Sequence, residues 1–494
     1  MDLGLERVTR LLEALAPAHS RHSSDTFKPA PHLTFPIIHV AGTNGKGSIC
    51  AYLSSILSAS GLRVGRYNSP HLITPRDTIQ INNQPISEAD YQHVTDIVKQ
   101  KDTELDLRAT SFELLTATAF YWFAYGGRGE AGHVNNQRAA VDIGVIEVGV
   151  GGRLDATNIV PTPKVCVIAS IGMDHGALLG NTIEEVAFEK AGIIKTGVPV
   201  VIAPQSQGQR VYKVLEDRAT SVGLLPSQVI KAKAAHWVSL DEEPFDPSVQ
   251  SSPATTVGHW AALENGFKFW IPLLGDFQLE NAATAIEAIT MLRTNESDIN
   301  EMWSQKITDD TVRQGIRDTV WPGRLQWLEV EDAPKEVRGR MLIDGAHNPA
   351  AAIALRSFVD GYIASLRGLT SGSLPRIHWI MGFTKGKDIE EMFDILFSTD
   401  SDKDRDGRDT FSAVEFSPPE GMPWVSPIPA TEVCERLRRQ QERMHALEED
   451  RLEVHGFGSD LKAGLGWVGK QRREGDVVVL CGSLYLVADL LRLR

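Results

Sequence analysis

The sequence predicts a mixed α/β chain of two domains, each built on a mostly parallel sheet covered by helices. Three observations predict it. Short apolar runs at residues 36–40, 141–148, 165–170 and 198–203 are separated by helical or loop sequence, the alternation that sets parallel strands under covering helices. A second series at residues 341–343, 377–381 and 477–481 repeats the pattern. The length, 494 residues at 42% hydrophobic and 23% charged, suits two or three domains of roughly 100–200 residues each. At Trp321-Pro322 a proline ends the helical pattern of Val312 and Ile316. The junction is expected there, with an N-terminal domain over 1–319 and a smaller C-terminal domain over 320–494.

The elements follow in order. Leu5, Val8, Leu12 and Leu15 recur at helical spacing and predict an amphipathic opening helix. Residues 17–36, rich in Pro, His and Ser, read as a loop. Pro36-Ile37-Ile38-His39-Val40 reads as a buried strand, followed by a glycine-rich turn and the helical pattern Tyr52, Leu53, Ile56, Leu57. Segments 126–140 and 399–410 are polar and aperiodic, as surface insertions are. The Asp-rich second insertion lacks the spacing of a calcium loop. Cys50, Cys166, Cys434 and Cys481 contain no CxxC pair, so they read as reduced packing residues and not as a disulfide framework or a zinc knuckle.

Charge narrows the class. Fifty Lys and Arg against 64 Asp and Glu give a net −14, which argues against a general nucleic-acid or anionic-membrane binder. No apolar run approaches the roughly 18 residues that cross a bilayer, and Asp2, Glu6 and Glu13 are too acidic for a mitochondrial leader. The expectation is a cytoplasmic protein acting on small molecules.

Five motifs carry chemistry, the first four each at the end of an expected strand. HVAGTNGKGS (residues 39–48) lies between strand and helix. Its glycines let backbone N–H groups face an anion, the helix N-terminus adds partial positive charge, and Lys46 adds a full one. Only Thr43 and Asn44 separate Gly42 from Gly45-Lys46, so this is a relative of the common GxxxxGK[ST] loop; Ser48 retains a hydroxyl for magnesium. The N-terminal domain is therefore expected to be of P-loop type. EVGVGGRLDATN (residues 147–158) places Glu147 where a doubly wound fold would hold magnesium or a catalytic water; a solvated strand-end carboxylate is the plainer alternative. SIGMDH (residues 170–175) puts His175 at a third strand end, ahead of Lys190, which spacing alone assigns to a helix surface. DGAHNP (residues 344–349) brings Asp344 and His347 together before Pro349, a helix-starting residue, to position a ribose or move a proton; an N-cap at Asn348 and a turn at Asp344 are the plainer readings. WPGR (residues 321–324) sets the Arg324 guanidinium at the junction.

With SPHL (69–72), TSFELLTATAF (110–120), FEKAGIIK (188–195) and GSLYLVAD (482–489), these segments resemble, in order, the folylpolyglutamate synthase and dihydrofolate synthase family, a branch of the Mur ligases. The resemblance implies a Mur ligase-like fold whose second domain is Rossmann-like. It also implies a reaction: MgATP phosphorylates a substrate carboxylate, and the amine of L-glutamate displaces phosphate from the acyl phosphate. The site residues it implies are Thr43, Asn44, Gly45, Lys46, Gly47, Ser48, Asn281, Arg324 and Asp344 for ATP. Ser48, Glu147 and His175 would hold two Mg2+ ions, and Ser69, Pro70 and His71 would line the substrate pocket. Lys190, His347 and Arg324 would be catalytic, with Lys190 matching a lysine that is carbamylated in many relatives. A monomer is expected.

The departures bear on substrate choice. Phe277 stands where the family usually has His, Asp77-Thr78 where many members have Glu-Arg, and Lys385-Gly386-Lys387-Asp388 keeps only the end of a DKD element. The lost arginine and the fungal-type segment Glu420–Trp424 favour 7,8-dihydropteroate as acceptor over a folate, with folylpolyglutamate synthesis or bifunctionality as the alternative. A P-loop hydrolase switch or a non-catalytic binding protein would have no use for the second-domain motifs or the full ATP and metal set.

Overall fold

The computed structural model describes residues 4–16, 35–126, 140–173, 176–239, 258–294, 303–330, 339–366, 375–397, 409–444, 452–473 and 475–493. Eight strands form the first sheet: β1 (Ile37–Ala41), β2 (Val64–Tyr67), β3 (Ile79–Ile81), β4 (Gln84–Pro85), β5 (Ile143–Glu147), β6 (Val165–Ile168), β7 (Val200–Ile202) and β8 (Val229–Lys231). Their order is β4-β3-β2-β5-β1-β6-β7-β8. The pairs from β2 to β8 are parallel, and β3 and β4 extend one edge antiparallel. Helices cover both faces, so β1 is apolar throughout apart from His39: Ile38 and Val40 join the core under helices Lys46–Ala59 and Phe277–Thr294, while Ile37 and Ala41 pack on the opposite side.

The second sheet contains β12 (Gln326–Val330), β13 (Gly339–Ile343), β14 (Ile377–Met381), β15 (Asp409–Ala413), β16 (Leu452–Gly456) and β17 (Val477–Cys481), in the order β12-β13-β17-β14-β15-β16. All its pairs are parallel except β12 with β13. Between the two sheets in sequence lies a small antiparallel sheet of β9 (His236–Trp237), β10 (His259–Ala262) and β11 (Lys268–Ile271), which the strand pattern did not signal. Every strand run expected from the sequence is a strand. The loop reading of 399–410 fails at its end, because Asp409 and Thr410 are buried in β15 and Asp409 accepts from the Ile377 N–H. Residues 17–34 and 127–139 lie outside the described residues, as does the rest of that insertion up to 408. All four cysteines are free and buried.

The two sheets meet around the junction. Asn348 Nδ2 donates to Asn44 Oδ1 at 3.3 Å, Leu72 packs into the second domain's core, and Arg492 Nη2 donates to the Ile73 carbonyl at 2.6 Å. Gly47 and Arg66 both touch the Trp321 ring. No helix among the described residues is long and apolar enough to cross a membrane.

Candidate active site

The C-terminal ends of β1, β5 and β6 lie side by side, so the loops that follow them converge. After β1, Thr43 and Asn44 donate their N–H groups to the Ser170 carbonyl at 2.9 and 3.1 Å, and Thr43 Oγ1 donates to the Gly172 carbonyl. Gly45 is the N-cap of helix Lys46–Ala59 at φ +89°, a conformation that favours glycine, and offers no side-chain acceptor. The first N–H groups of a fourteen-residue helix are thus turned to whatever anion lies there. A Cβ on Gly45 would stand 2.3 Å from Asn281 Oδ1, so Asn281 closes over the loop. Gln278, one helical turn earlier, donates to the buried Ser48 hydroxyl at 3.3 Å and accepts from Asn281 Nδ2 at 3.1 Å.

Lys46 Nζ donates to the Thr43 carbonyl at 3.2 Å and stands 3.9 Å from Glu147 Oε1. Glu147 is buried, so the solvated alternative fails: β5 is covered on both faces and its last residue cannot turn out to water. Burial pushes its carboxyl above the usual range, opposed by the Lys46 ammonium, the Asn68 amide at 2.7 Å, the Ser69 N–H and the Arg324 guanidinium. Asp344 is also buried and pushed up, opposed by Arg324 and by the N–H groups of Leu325 and Ala346 at 2.8 and 2.7 Å. The charge of Arg324 therefore acts on a carboxylate of each domain.

Lys190 corrects another expectation. It is buried, not on a helix surface, and its Nζ donates to the Gly42 carbonyl at 2.8 Å, behind the phosphate loop. His347 is half-buried with Nδ1 donating to the Gly345 carbonyl at 2.9 Å, which leaves Nε2 as the basic nitrogen of the neutral ring. Asn348 does cap helix Pro349–Leu366, accepting from the Ala351 N–H, but its amide also reaches Asn44. His71 is buried and burial lowers its pKa; Ser69 is half-buried, and Pro70 is exposed and follows a cis peptide. His175 lies outside the described residues.

The departures have structural roles. Asp77 Oδ2 accepts from the Ile73 and Thr74 N–H groups at 2.7 and 2.9 Å and Thr78 Oγ1 donates to the Pro75 carbonyl, so this pair shapes its own turn. Phe277 packs against the second domain's core, and Asp388 accepts from the Glu391 N–H at the start of a helix. Residues that sequence reasoning passed over are Asn68, Arg66, Gln278 and Trp321's ring. Only Gln278 left a signal, three residues before Asn281 on one helix face.

No three His, Cys, Asp or Glu side chains form a metal cage among the described residues. The oxygen donors present, the Ser48 hydroxyl and the Glu147 carboxylate beside the phosphate loop, suit a hard cation that takes its remaining ligands from phosphate and water.

Comparison with known proteins agrees with this geometry. Residues 326–493 match the family described as dihydrofolate synthetase, C-terminal domain. The chain is 34% identical over 492 residues to the probable dihydrofolate synthetase of Schizosaccharomyces pombe, covering 100% of this chain and 98% of that protein. The E. coli FolC structure in complex with DHPP and ADP superposes with a TM-score of 0.68 at 25% identity, covering 100% of this chain and 93% of that one. A bifunctional folylpolyglutamate synthase/dihydrofolate synthase solved with Mn, AMPPNP and L-glutamate gives 0.67 at 27%, covering 100% and 94%.

Proposed function

This chain belongs to the dihydrofolate synthase and folylpolyglutamate synthase family, and we propose that within it the chain joins L-glutamate to the carboxylate of 7,8-dihydropteroate. It is an ATP-dependent acid–amino-acid ligase, and its products are dihydrofolate, ADP and phosphate. The observation that carries this reading is the buried Glu147 carboxylate 3.9 Å from Lys46 at the phosphate loop, with Asn348 of the second domain reaching Asn44 of that loop at 3.3 Å.

A carboxylate is a poor acyl donor because oxide is a poor leaving group. An acceptor oxygen attacks the γ-phosphorus, the bond to the β,γ-bridging oxygen breaks, and ADP leaves. The glutamate amine then attacks the acyl carbon, phosphate departs, and the amine loses a proton. The chain's part is positioning and charge. Thr43 to Ser48 cradle the phosphates, Asn281 closes the loop, and Lys46 and Arg324 face the transferring phosphoryl group. Ser48 and Glu147, with His175, would hold Mg2+, two ions in this reading, and these would neutralise charge on the phosphates. His347 Nε2 takes the proton from the attacking amine. Ser69, Pro70 and His71 border the acceptor, and Asp344 faces the nucleotide.

Lys190 is proposed to be carbamylated: an anion on its Nζ suits a cation-rich site, and an intact-mass gain of one CO2 in bicarbonate is the measurement that decides it. The bodies that close are taken as residues 1–319 and 320–494, in a cytoplasmic monomer that binds no nucleic acid.

The deciding experiment is ADP release with MgATP and L-glutamate, comparing 7,8-dihydropteroate with tetrahydrofolate. Turnover confined to dihydropteroate is expected. Turnover with tetrahydrofolate alone would make the chain a folylpolyglutamate synthase, and glutamate-independent hydrolysis would overturn the ligase reading.

A further inference from the structure

Asn68 lies at the end of β2, next to the strand that carries Glu147, and is buried. Its Nδ2 donates to Glu147 Oε2 at 2.7 Å. The other oxygen, Oε1, is the one nearest Lys46. The two carboxylate oxygens thus have different neighbours, an amide on one side and the phosphate loop on the other. Asn68 is itself fixed: its backbone N–H donates to the Thr78 carbonyl at 3.1 Å, and its side chain also faces the Cys50 thiol.

The chemistry of the amide matters. A lysine or arginine at this place would neutralise Glu147 and compete with a cation for it, and an aspartate would repel it. A carboxamide orients the carboxylate through one N–H and adds no further positive charge beside the Lys46 ammonium already 3.9 Å from Oε1. We propose that Asn68 is a positioning residue that holds Glu147 by Oε2 so that Oε1 is presented to the divalent cation accompanying the nucleotide. This rests on the metal role given to Glu147 above.

The test measures ADP affinity with and without Mg2+ for the full chain, Asn68→Ala and Asn68→Leu, the leucine filling the amide's volume without a donor. The wild type is expected to bind ADP more tightly with Mg2+. Both variants should require about tenfold more Mg2+ or beyond for that gain, with metal-free ADP affinity unchanged and kcat recovering at high Mg2+. An unchanged Mg2+ requirement in Asn68→Leu would overturn the proposal. So would a parallel loss of metal-free and Mg2+-dependent binding, because that is the mark of a merely structural residue. A wild type whose ADP affinity ignores Mg2+ would instead overturn the role of Glu147.

Discussion

Replacing Gly47 with alanine tests whether the phosphate loop and the domain junction are one packed unit. Gly47 lies in the first turn of helix Lys46–Ala59, where alanine is intrinsically better than glycine by about 1 kcal/mol. Against that, the added methyl would stand 2.5 Å from Trp321 Cζ2, 3.1 Å from Cε2 and 3.3 Å from Nε1. Carbon atoms relax to about 3.5–4.0 Å apart, so the ring or the loop must give by about 1 Å. Movement is limited on one face, where the guanidinium of the buried Arg66 lies 5.1 Å from the centroid of the partly buried ring. Overpacking of this kind costs about 1–3 kcal/mol, which leaves a net destabilisation of about 0–2 kcal/mol. The kinetic effect should be larger, since misplacing a reacting group by about 1 Å costs up to about 100-fold. The expected result is a melting temperature within a few degrees of wild type and a 10–100-fold fall in kcat/KM for ATP, about 1.4–3 kcal/mol of transition-state stabilisation. A double-mutant cycle with Trp321→Leu decides the cause. In that background the Gly47→Ala substitution should be nearly silent, and an equal loss in both backgrounds would refute the steric argument.

Three further outcomes are expected. Lys46→Ala should reduce glutamate-dependent ADP release by at least about 100-fold while circular dichroism and melting stay near wild type; near-normal turnover would remove Lys46 from the phosphate site. Burial, with Lys195 nearby, pushes the His39 pKa down to about 3, so the folded protein refuses a proton that the unfolded chain takes up near pH 6.5. Stability should therefore fall as pH drops below about 6.5, by about 3 kcal/mol from this group at pH 4, and His39→Gln should flatten the acid limb of a urea-denaturation series; an unchanged limb contradicts this. Asp77→Ala removes an acceptor from two N–H groups and should cost about 1–2 kcal/mol of loop stability, raising KM for the pterin acceptor without creating activity on tetrahydrofolate. Gained folate activity would show that Asp77 itself excludes the folate acceptor.

The strands that the sequence reveals are those buried on both faces, where parallel packing demands unbroken apolar runs, as in β1, β6 and β17. The unsignalled ones fail for local reasons. Arg66 interrupts β2, β16 has no buried position and no regular alternation, and β9 is two residues long. At the site, glycine and lysine spacing is legible because it encodes backbone shape and charge. The burial of Lys190 and the grip of Asn68 on Glu147 depend on which loops the sheet order brings together, and no local spacing records that. Asp77 holds its own turn, a local role that the comparison with the family pattern at this position did not signal.

The hydrogen bond from Arg492 to the Ile73 carbonyl joins residues 419 positions apart. At roughly 5–20 residues per second, a ribosome makes the arginine about 20–80 s after the carbonyl it will hold. During that interval the phosphate loop and its sheet can already be folded, while the segment bordering the acceptor pocket awaits its last anchor. Pausing late in translation would prolong a species whose phosphate loop is made but whose acceptor-side segment lacks this hydrogen bond.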